Sequence, residues 1–172
     1  MNFSLKERLL LANQYRILEK LSHEDGEAKQ YAAFRKIVED GFTSEYSDLT
    51  SGFEQDELTE EQCHEVIDIL DMWRHLKDSF DRLPDKGDLS ASDVRFWGFD
   101  GNDHLESRYA EYVEFQLEDG KWRELQDRKG NLNSHHETLE KYRLMLEVHK
   151  RFSRKADLSA EQIKEILAAE SD

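Results

Sequence analysis

A row of histidines and carboxylates is the pattern in this sequence closest to a metal-binding site. His64, Asp68, Asp71, His75 and Asp78 recur at intervals of three and four residues, which places them on one face of a helix. Imidazole and carboxylate groups spaced in this way can hold a divalent metal ion. The apolar residues of the same segment lie on the opposite face, so the row is expected to point to water. The prediction is therefore a solvated helix surface, with no metal and no cofactor.

A second candidate site combines two amides with an aromatic segment. Asn13 and Gln14 lie in a first helix whose apolar residues surround most of its circumference, so both side chains are expected to be buried and to need hydrogen-bond partners. The segment from Phe96 to Asp100 is aromatic and non-helical, and its backbone groups are suitable partners. Either the first helix pins this loop on the core, or the two elements enclose a small-ligand pocket. The candidate ligand-binding residues are Asn13, Gln14, Trp97, Asp100 and Arg108.

A cluster of cations ends one of the predicted helices. Its members are Lys150, Arg151, Arg154 and Lys155. Cations at this position offset the negative end of the helix dipole, and a phosphate or RNA contact through Lys150–Lys155 is the alternative. The net charge of −15 repels polyanions, so nucleic acid is not an expected partner.

Composition places the chain in the class of ordinary globular proteins. Its 172 residues, 37% of them hydrophobic, suit one domain with its own core. Cys63 is the single cysteine, which excludes an internal disulfide and is typical of a reducing compartment. The opening residues lack the blocks of a signal peptide, and no apolar run approaches the roughly 20 residues that cross a bilayer. The expected location is the cytoplasm, with no membrane partner.

Helix signals extend along the whole chain. Capping boxes, in which a Ser or Thr is followed three residues later by Glu or Gln, occur at residues 4–7, 59–62 and 159–162. With the apolar periodicity, they predict helices over about 4–21, 24–40, 44–50, 59–83, 102–118, 136–152 and 159–167. The pair Asp119-Gly120 is a turn signal, which allows a small hairpin near residues 115–125. The predicted fold is all-α, with residues 1–172 forming one multihelical domain around a largely buried N-terminal helix.

The order of several short segments resembles the YfbU family of bacterial proteins. The segments are Arg8-Leu9 with Asn13-Gln14-Tyr15, Gly98-Phe99-Asp100 with Arg108-Tyr109, Glu140-Lys141-Tyr142, and Leu158-Ser159-Ala160. None of them is a catalytic signature. The resemblance implies an all-α fold and a cytosolic location, and it transfers no functional residue to this chain.

Function is the least constrained property of the sequence. It contains no Gly-x-Ser-x-Gly elbow, no phosphate-cradling loop and no clustered cysteine ligands. The leading hypothesis is a non-enzymatic interaction or regulatory protein that forms a homodimer or higher even oligomer and has an unknown protein partner. The alternatives are a small-molecule enzyme with a pocket near Trp97 and Asp100, and weak RNA binding through Lys150–Lys155.

Overall fold

The computed structural model describes residues 1–54, 56–125, 132–153 and 156–169. It is 64% helical, and the described residues form no strand. The all-α prediction is therefore confirmed. The α-helices are α1 (Leu5–Leu21), α2 (Asp25–Asp40), α3 (Glu60–Arg82), α4 (His104–Glu118), α5 (Leu139–Lys150) and α6 (Ala160–Leu167). Two 3₁₀ helices cover Thr43–Thr50 and Arg123–Leu125.

The local capping signals set where these helices begin. The side chains of Ser4, Thr59 and Ser159 each accept a hydrogen bond from the backbone N–H three residues later. The side chain of that later residue accepts a bond from the backbone N–H of the cap residue. All three predicted capping boxes are thus confirmed. The cap of α4 is Asp103, whose carboxylate accepts from the N–H of Glu106 at 2.8 Å. The sequence predicted a helix from about residue 102, so α4 begins two residues later than predicted.

The chain divides into two compact units, Met1–Glu57 and Leu58–Asp172, called here the N-terminal and C-terminal units. In the N-terminal unit α1 and α2 pack as an antiparallel pair, with the start of α1 meeting the end of α2. Its buried core consists of Ala12, Val38, Tyr46 and Leu49. The extent of one domain over residues 1–172 stays a prediction.

The C-terminal unit is organised around α3. This helix contacts α4, α5, α6 and the 3₁₀ helix Arg123–Leu125. One of its faces is almost fully buried: Val66, Ile69, Leu70, Met72, Trp73, Leu76 and Phe80. The Phe96 and Phe99 rings complete this core from the following loop, where each contacts the ring of Tyr142. The buried central helix is therefore α3.

The prediction that the N-terminal helix is largely buried is wrong. Ala12 is the buried residue of α1, whereas Leu5, Leu9, Leu10, Ile17 and Leu21 are each more than half exposed. Apolar side chains surround α1 as predicted, but its packing against α2 leaves these five exposed. Apolar residues around a helix show which faces can be buried and do not show what covers them.

The small hairpin predicted near residues 115–125 is also absent. Helix α4 continues to Glu118, and Gly120 then adopts a left-handed conformation with a φ of 81°. The N–H groups of Gly120 and Lys121 donate to the carbonyls of Leu117 and Gln116. This pattern is a Schellman motif, so the Asp-Gly pair ends a helix where the sequence suggested a hairpin turn.

Candidate interaction surface

Helix α1 exposes a row of apolar side chains, called here the outward row: Leu10, Ile17 and Leu21. Their spacing of seven and four residues aligns them on one helical face. Their exposed fractions are 56%, 58% and 64%, and Leu18 beside them is 39% exposed. Scattered apolar residues are normal on a surface, but an aligned set on one helix commonly marks an interface.

A groove runs along the seam between α1 and α2 on a neighbouring arc of α1. Its volume is about 610 Å³. The residues that line this seam groove are Leu5, Lys6, Arg8, Leu9, Ala12, Asn13, Arg16, Val38 and Glu39. Apolar side chains form its floor, and three cations face one carboxylate at its rim. It is therefore an amphipathic, locally cationic surface on a strongly acidic chain.

The cations of the seam groove are held in different ways. Arg8 donates from Nε to the Val38 carbonyl and from Nη2 to the Glu39 carbonyl, both at 2.7 Å. It caps the end of α2, and both of these acceptors are backbone carbonyls, which carry no formal charge. The Glu39 carboxylate accepts from Arg16 and from Arg35, each at 2.9 Å. One carboxylate is thus shared between two guanidinium groups, and the groove retains net positive charge.

The two amides predicted as buried are exposed. Asn13 lies at the seam groove, and Gln14 points outward from α1. The prediction of burial is wrong because α2 packs against α1 without covering either amide. Ligand binding at either amide stays a prediction.

The Phe96–Asp100 loop is instead held by a buried carboxylate that the sequence reasoning missed. Glu106 is 3% exposed and accepts from the backbone N–H groups of Asp100, Thr138 and Leu139 at 2.7–3.0 Å, and from the Thr138 hydroxyl at 2.9 Å. It joins this loop to the first turn of α5, where the orphan N–H groups and the helix dipole favour a negative charge.

Gly98 is the second fixed point of this loop. Its carbonyl accepts from the hydroxyls of Thr138 and Tyr142, at 3.1 and 3.0 Å. Its φ is 85°, and a Cβ atom at this position would lie 1.8 Å from the Leu132 carbonyl oxygen. Phe99 on its other side forms an isolated parallel bridge with Asn133. Burial raises the pKa of Tyr142, so its hydroxyl stays protonated and can donate this bond.

The remaining predicted ligand residues do not share one pocket. Trp97 is 45% exposed, stacks under the Arg95 guanidinium, and lines an open groove that includes Lys164 but neither Asp100 nor Arg108. The Asp100 carboxylate is buried and accepts from the backbone and side-chain amides of Asn102 at 3.0 and 2.9 Å. Arg108 pairs with Glu111 one turn along α4. Asp100 thus has a structural role in the loop, whereas ligand binding at Trp97 and Arg108 stays a prediction.

The histidine and carboxylate row of α3 takes part in separate local contacts. His64 lies 3.6 Å from Glu60, and Asp68 lies 3.4 Å from Lys150. The other three residues of the row do not join them: Asp71 accepts from the indole of Trp122 at 2.9 Å, His75 Nδ1 lies 3.3 Å from Nε2 of the buried His149, and Asp78 is half-buried. Within the described ranges, no three His, Cys, Asp or Glu residues are placed to hold one metal ion.

A charged network links three helices of the C-terminal unit beside this row. Glu65 of α3 accepts from the Tyr109 hydroxyl of α4 at 2.6 Å and from Nε and Nη2 of Arg143 in α5, at 2.7 and 3.0 Å. The Arg143 guanidinium lowers the pKa of Glu65, and burial followed by the Glu65 bond raises the pKa of Tyr109. The charged groups of this network are paired with one another, so the network connects α3, α4 and α5.

The predicted RNA-binding cluster is described only in part. Lys150 pairs with Asp68, and Arg151 is the C-terminal cap of α5. Arg154 and Lys155 lie outside the described residues. The dipole interpretation fits the position of the first two cations, and RNA contact stays a prediction.

A family comparison covers almost the whole chain. The model of the YfbU domain matches residues 1–169 of this chain. The chain therefore belongs to the YfbU family, as the resemblance of its short segments predicted. None of the described helices combines the length and apolarity that crossing a bilayer requires.

Proposed function

We propose that this chain is a cytosolic, non-enzymatic interaction protein that self-associates through the outward row of α1. The single observation that carries the proposal is the alignment of Leu10, Ile17 and Leu21 at more than half exposure on one helix face. A twofold dimer uses the same patch on both subunits, so this row would be buried twice.

The energetics favour such burial. Removing apolar surface from water is worth about 25 cal/mol per Å², and a standard interface buries about 1,600 Å². The exposed arc of α1 extends beyond the row to Leu18, which enlarges the apolar patch.

Electrostatics oppose the association of two copies. The side chains of the outward row carry no charge, but α1 has four cations and two carboxylates, and the whole chain has a net charge of −15. Like charges on the two copies therefore repel each other, both at α1 and at the acidic regions farther away, and salt screens this repulsion beyond about 8–10 Å. Added salt should therefore strengthen the association.

Light scattering across protein concentration and salt tests the proposal. The wild-type chain of 20.4 kDa is expected to reach the mass of a dimer, more readily in high salt. Ile17→Glu places a charge in the row without opposing helix formation and should yield a monomer. Phe115→Glu is the matched control, since Phe115 is 61% exposed on α4 and should leave the dimer unchanged. A monomeric mass for the wild type under every condition contradicts self-association.

A further inference from the structure

We propose that the seam groove binds an acidic amphipathic helix of a partner protein. The groove lies between two antiparallel helices, and the N-terminal unit contains no third α-helix among its described residues. A third helix packs into such a seam in helical bundles, with its ridges between those of the pair. Leu5 and Leu9, one turn apart and largely exposed, supply the apolar contact.

The charged side chains that line the groove determine which sign of charge a partner should carry. The groove is lined by three cations, Lys6, Arg8 and Arg16, and by one carboxylate, Glu39. The Arg8 guanidinium donates to backbone carbonyls. Lys6 lines the groove and is exposed, and it forms no ion pair with any residue that the structure describes. Carboxylates flanking the apolar stripe of an incoming helix complement this field and steer its approach.

The same charges exclude α1 of a second copy from the groove. Helix α1 is itself locally positive, so inserting it would bring cations against cations. Leu5 and Leu9 also lie on a different arc from Leu10 and Ile17. The apolar contacts of the groove and of the outward row are therefore separate, although Lys6 borders Leu10 one turn along the helix. Light scattering of the Lys6→Glu variant should give the same mass as the wild type.

A labelled peptide of known acidic, amphipathic sequence is the probe. The stretch 104–119, HLESRYAEYVEFQLED, carries five carboxylates and one arginine. Fluorescence anisotropy should show saturable binding of this peptide to the full chain, weakening as salt is added. Lys6→Glu should reduce the affinity about tenfold through like-charge contact. Lys29→Glu makes the same charge change at an exposed site on α2 outside the groove and should leave the affinity unchanged.

A charge-swapped peptide sharpens the test. With its carboxylates replaced by lysine, the peptide should bind the Lys6→Glu variant better than it binds the wild type. The proposal is overturned if the peptide does not bind at about 0.2 mM, a concentration that detects even weak complexes. It is also overturned if Lys6→Glu and Lys29→Glu lower the affinity equally. If the peptide does not bind but the chain co-sediments with phosphatidylglycerol vesicles in a way that depends on Lys6, the groove is a membrane contact. Circular dichroism of each variant confirms that the helices are retained.

Discussion

The N-terminal and C-terminal units use similar helices but are held together differently. Among its described residues the N-terminal unit buries four apolar side chains, and its ion pairs lie near the surface. The C-terminal unit buries a large apolar cluster together with the Glu106 carboxylate, which joins segments more than 30 residues apart. The difference indicates that the C-terminal unit is the more extensively packed of the two, while the N-terminal unit leaves more of its apolar side chains exposed. Trp73, Trp97 and Trp122 all lie in the C-terminal unit, so tryptophan fluorescence reports that unit alone.

The largest expected effect is the loss of the buried carboxylate. Glu106→Ala leaves several buried N–H donors without an acceptor, each costing about 1–3 kcal/mol, so unfolding should become easier by roughly 3 kcal/mol or more. Urea unfolding followed by tryptophan fluorescence measures this change. Glu111→Ala on the exposed face of the same helix should change stability by less than about 0.5 kcal/mol. If the two substitutions lower stability equally, the buried hydrogen bonds of Glu106 do not stabilise the C-terminal unit as proposed.

The next effect concerns the loop that Glu106 holds. Gly98→Ala forces a Cβ atom onto the Leu132 carbonyl oxygen at a positive φ, so we expect a loss of about 2 kcal/mol or more. Thermal unfolding of the tryptophan signal gives the value. Gly87→Ala is the matched control, because Gly87 lies in the same unit at a positive φ of 56° and its added Cβ would meet only the Lys164 Nζ, at 3.8 Å, so it should lose less stability than Gly98→Ala. If Gly98→Ala leaves the stability unchanged, the loop can move away from Leu132.

A smaller, pH-dependent effect is expected at the Glu65 network. Because Arg143 lowers the pKa of Glu65 in the folded state, this carboxylate adds stability above its unfolded pKa of about 4.3. That stability is lost as the pH falls through the lower, folded pKa. Glu65→Gln should therefore cost about 1 kcal/mol at neutral pH, since the site is partly solvated, and should flatten the acid limb of stability.

The control for this prediction is the second carboxylate on the same guanidinium. Glu140 lies 2.6 Å from Arg143 but its side chain is 80% exposed, so Glu140→Gln should leave the acid limb nearly unchanged. Urea midpoints measured between neutral and acidic pH separate the two variants. An acid limb unchanged by Glu65→Gln would mean that the network contributes nothing to the pH dependence.

The smallest effect is expected in the N-terminal unit. Gly26 lies in the first turn of α2, and a Cβ atom added there meets nothing within 4 Å. Gly26→Ala should stabilise this unit by about 0.4–1 kcal/mol by restricting the unfolded chain. Hydrogen exchange of the α1 and α2 amides detects the gain, and tryptophan fluorescence should not change. If Gly26→Ala instead destabilises the N-terminal unit, the added methyl group must clash with a neighbouring atom.

Local features of the fold were predictable from the sequence, and long-range features were not. The capping boxes at Ser4, Thr59 and Ser159 are decided by residues three apart, so they can be recognised directly. Glu106 looks like an ordinary surface carboxylate of a helix, because its partners at Thr138 and Leu139 lie more than 30 residues away.

The prediction that α1 is largely buried is wrong for a different physical reason. The apolar residues around its circumference correctly marked it as unusual, but periodicity does not tell whether a helix is covered by its own chain or by another. Cations between those apolar residues, such as Lys6 and Arg16, were the available signal that this helix faces water or a partner. The position of Trp97 and Asp100 in different surroundings likewise depends on the loop conformation, which local sequence does not determine.

Hydrogen exchange of α1 as a function of protein concentration tests the central claim most directly. If a second copy covers the outward row, the amides around Leu10, Ile17 and Leu21 should exchange more slowly as concentration rises, because association adds to the free energy of opening. The amides of α3 serve as the internal reference. The Ile17→Glu variant should remove the concentration dependence. Exchange in α1 that is independent of concentration, in low and high salt alike, would contradict a self-associating N-terminal unit.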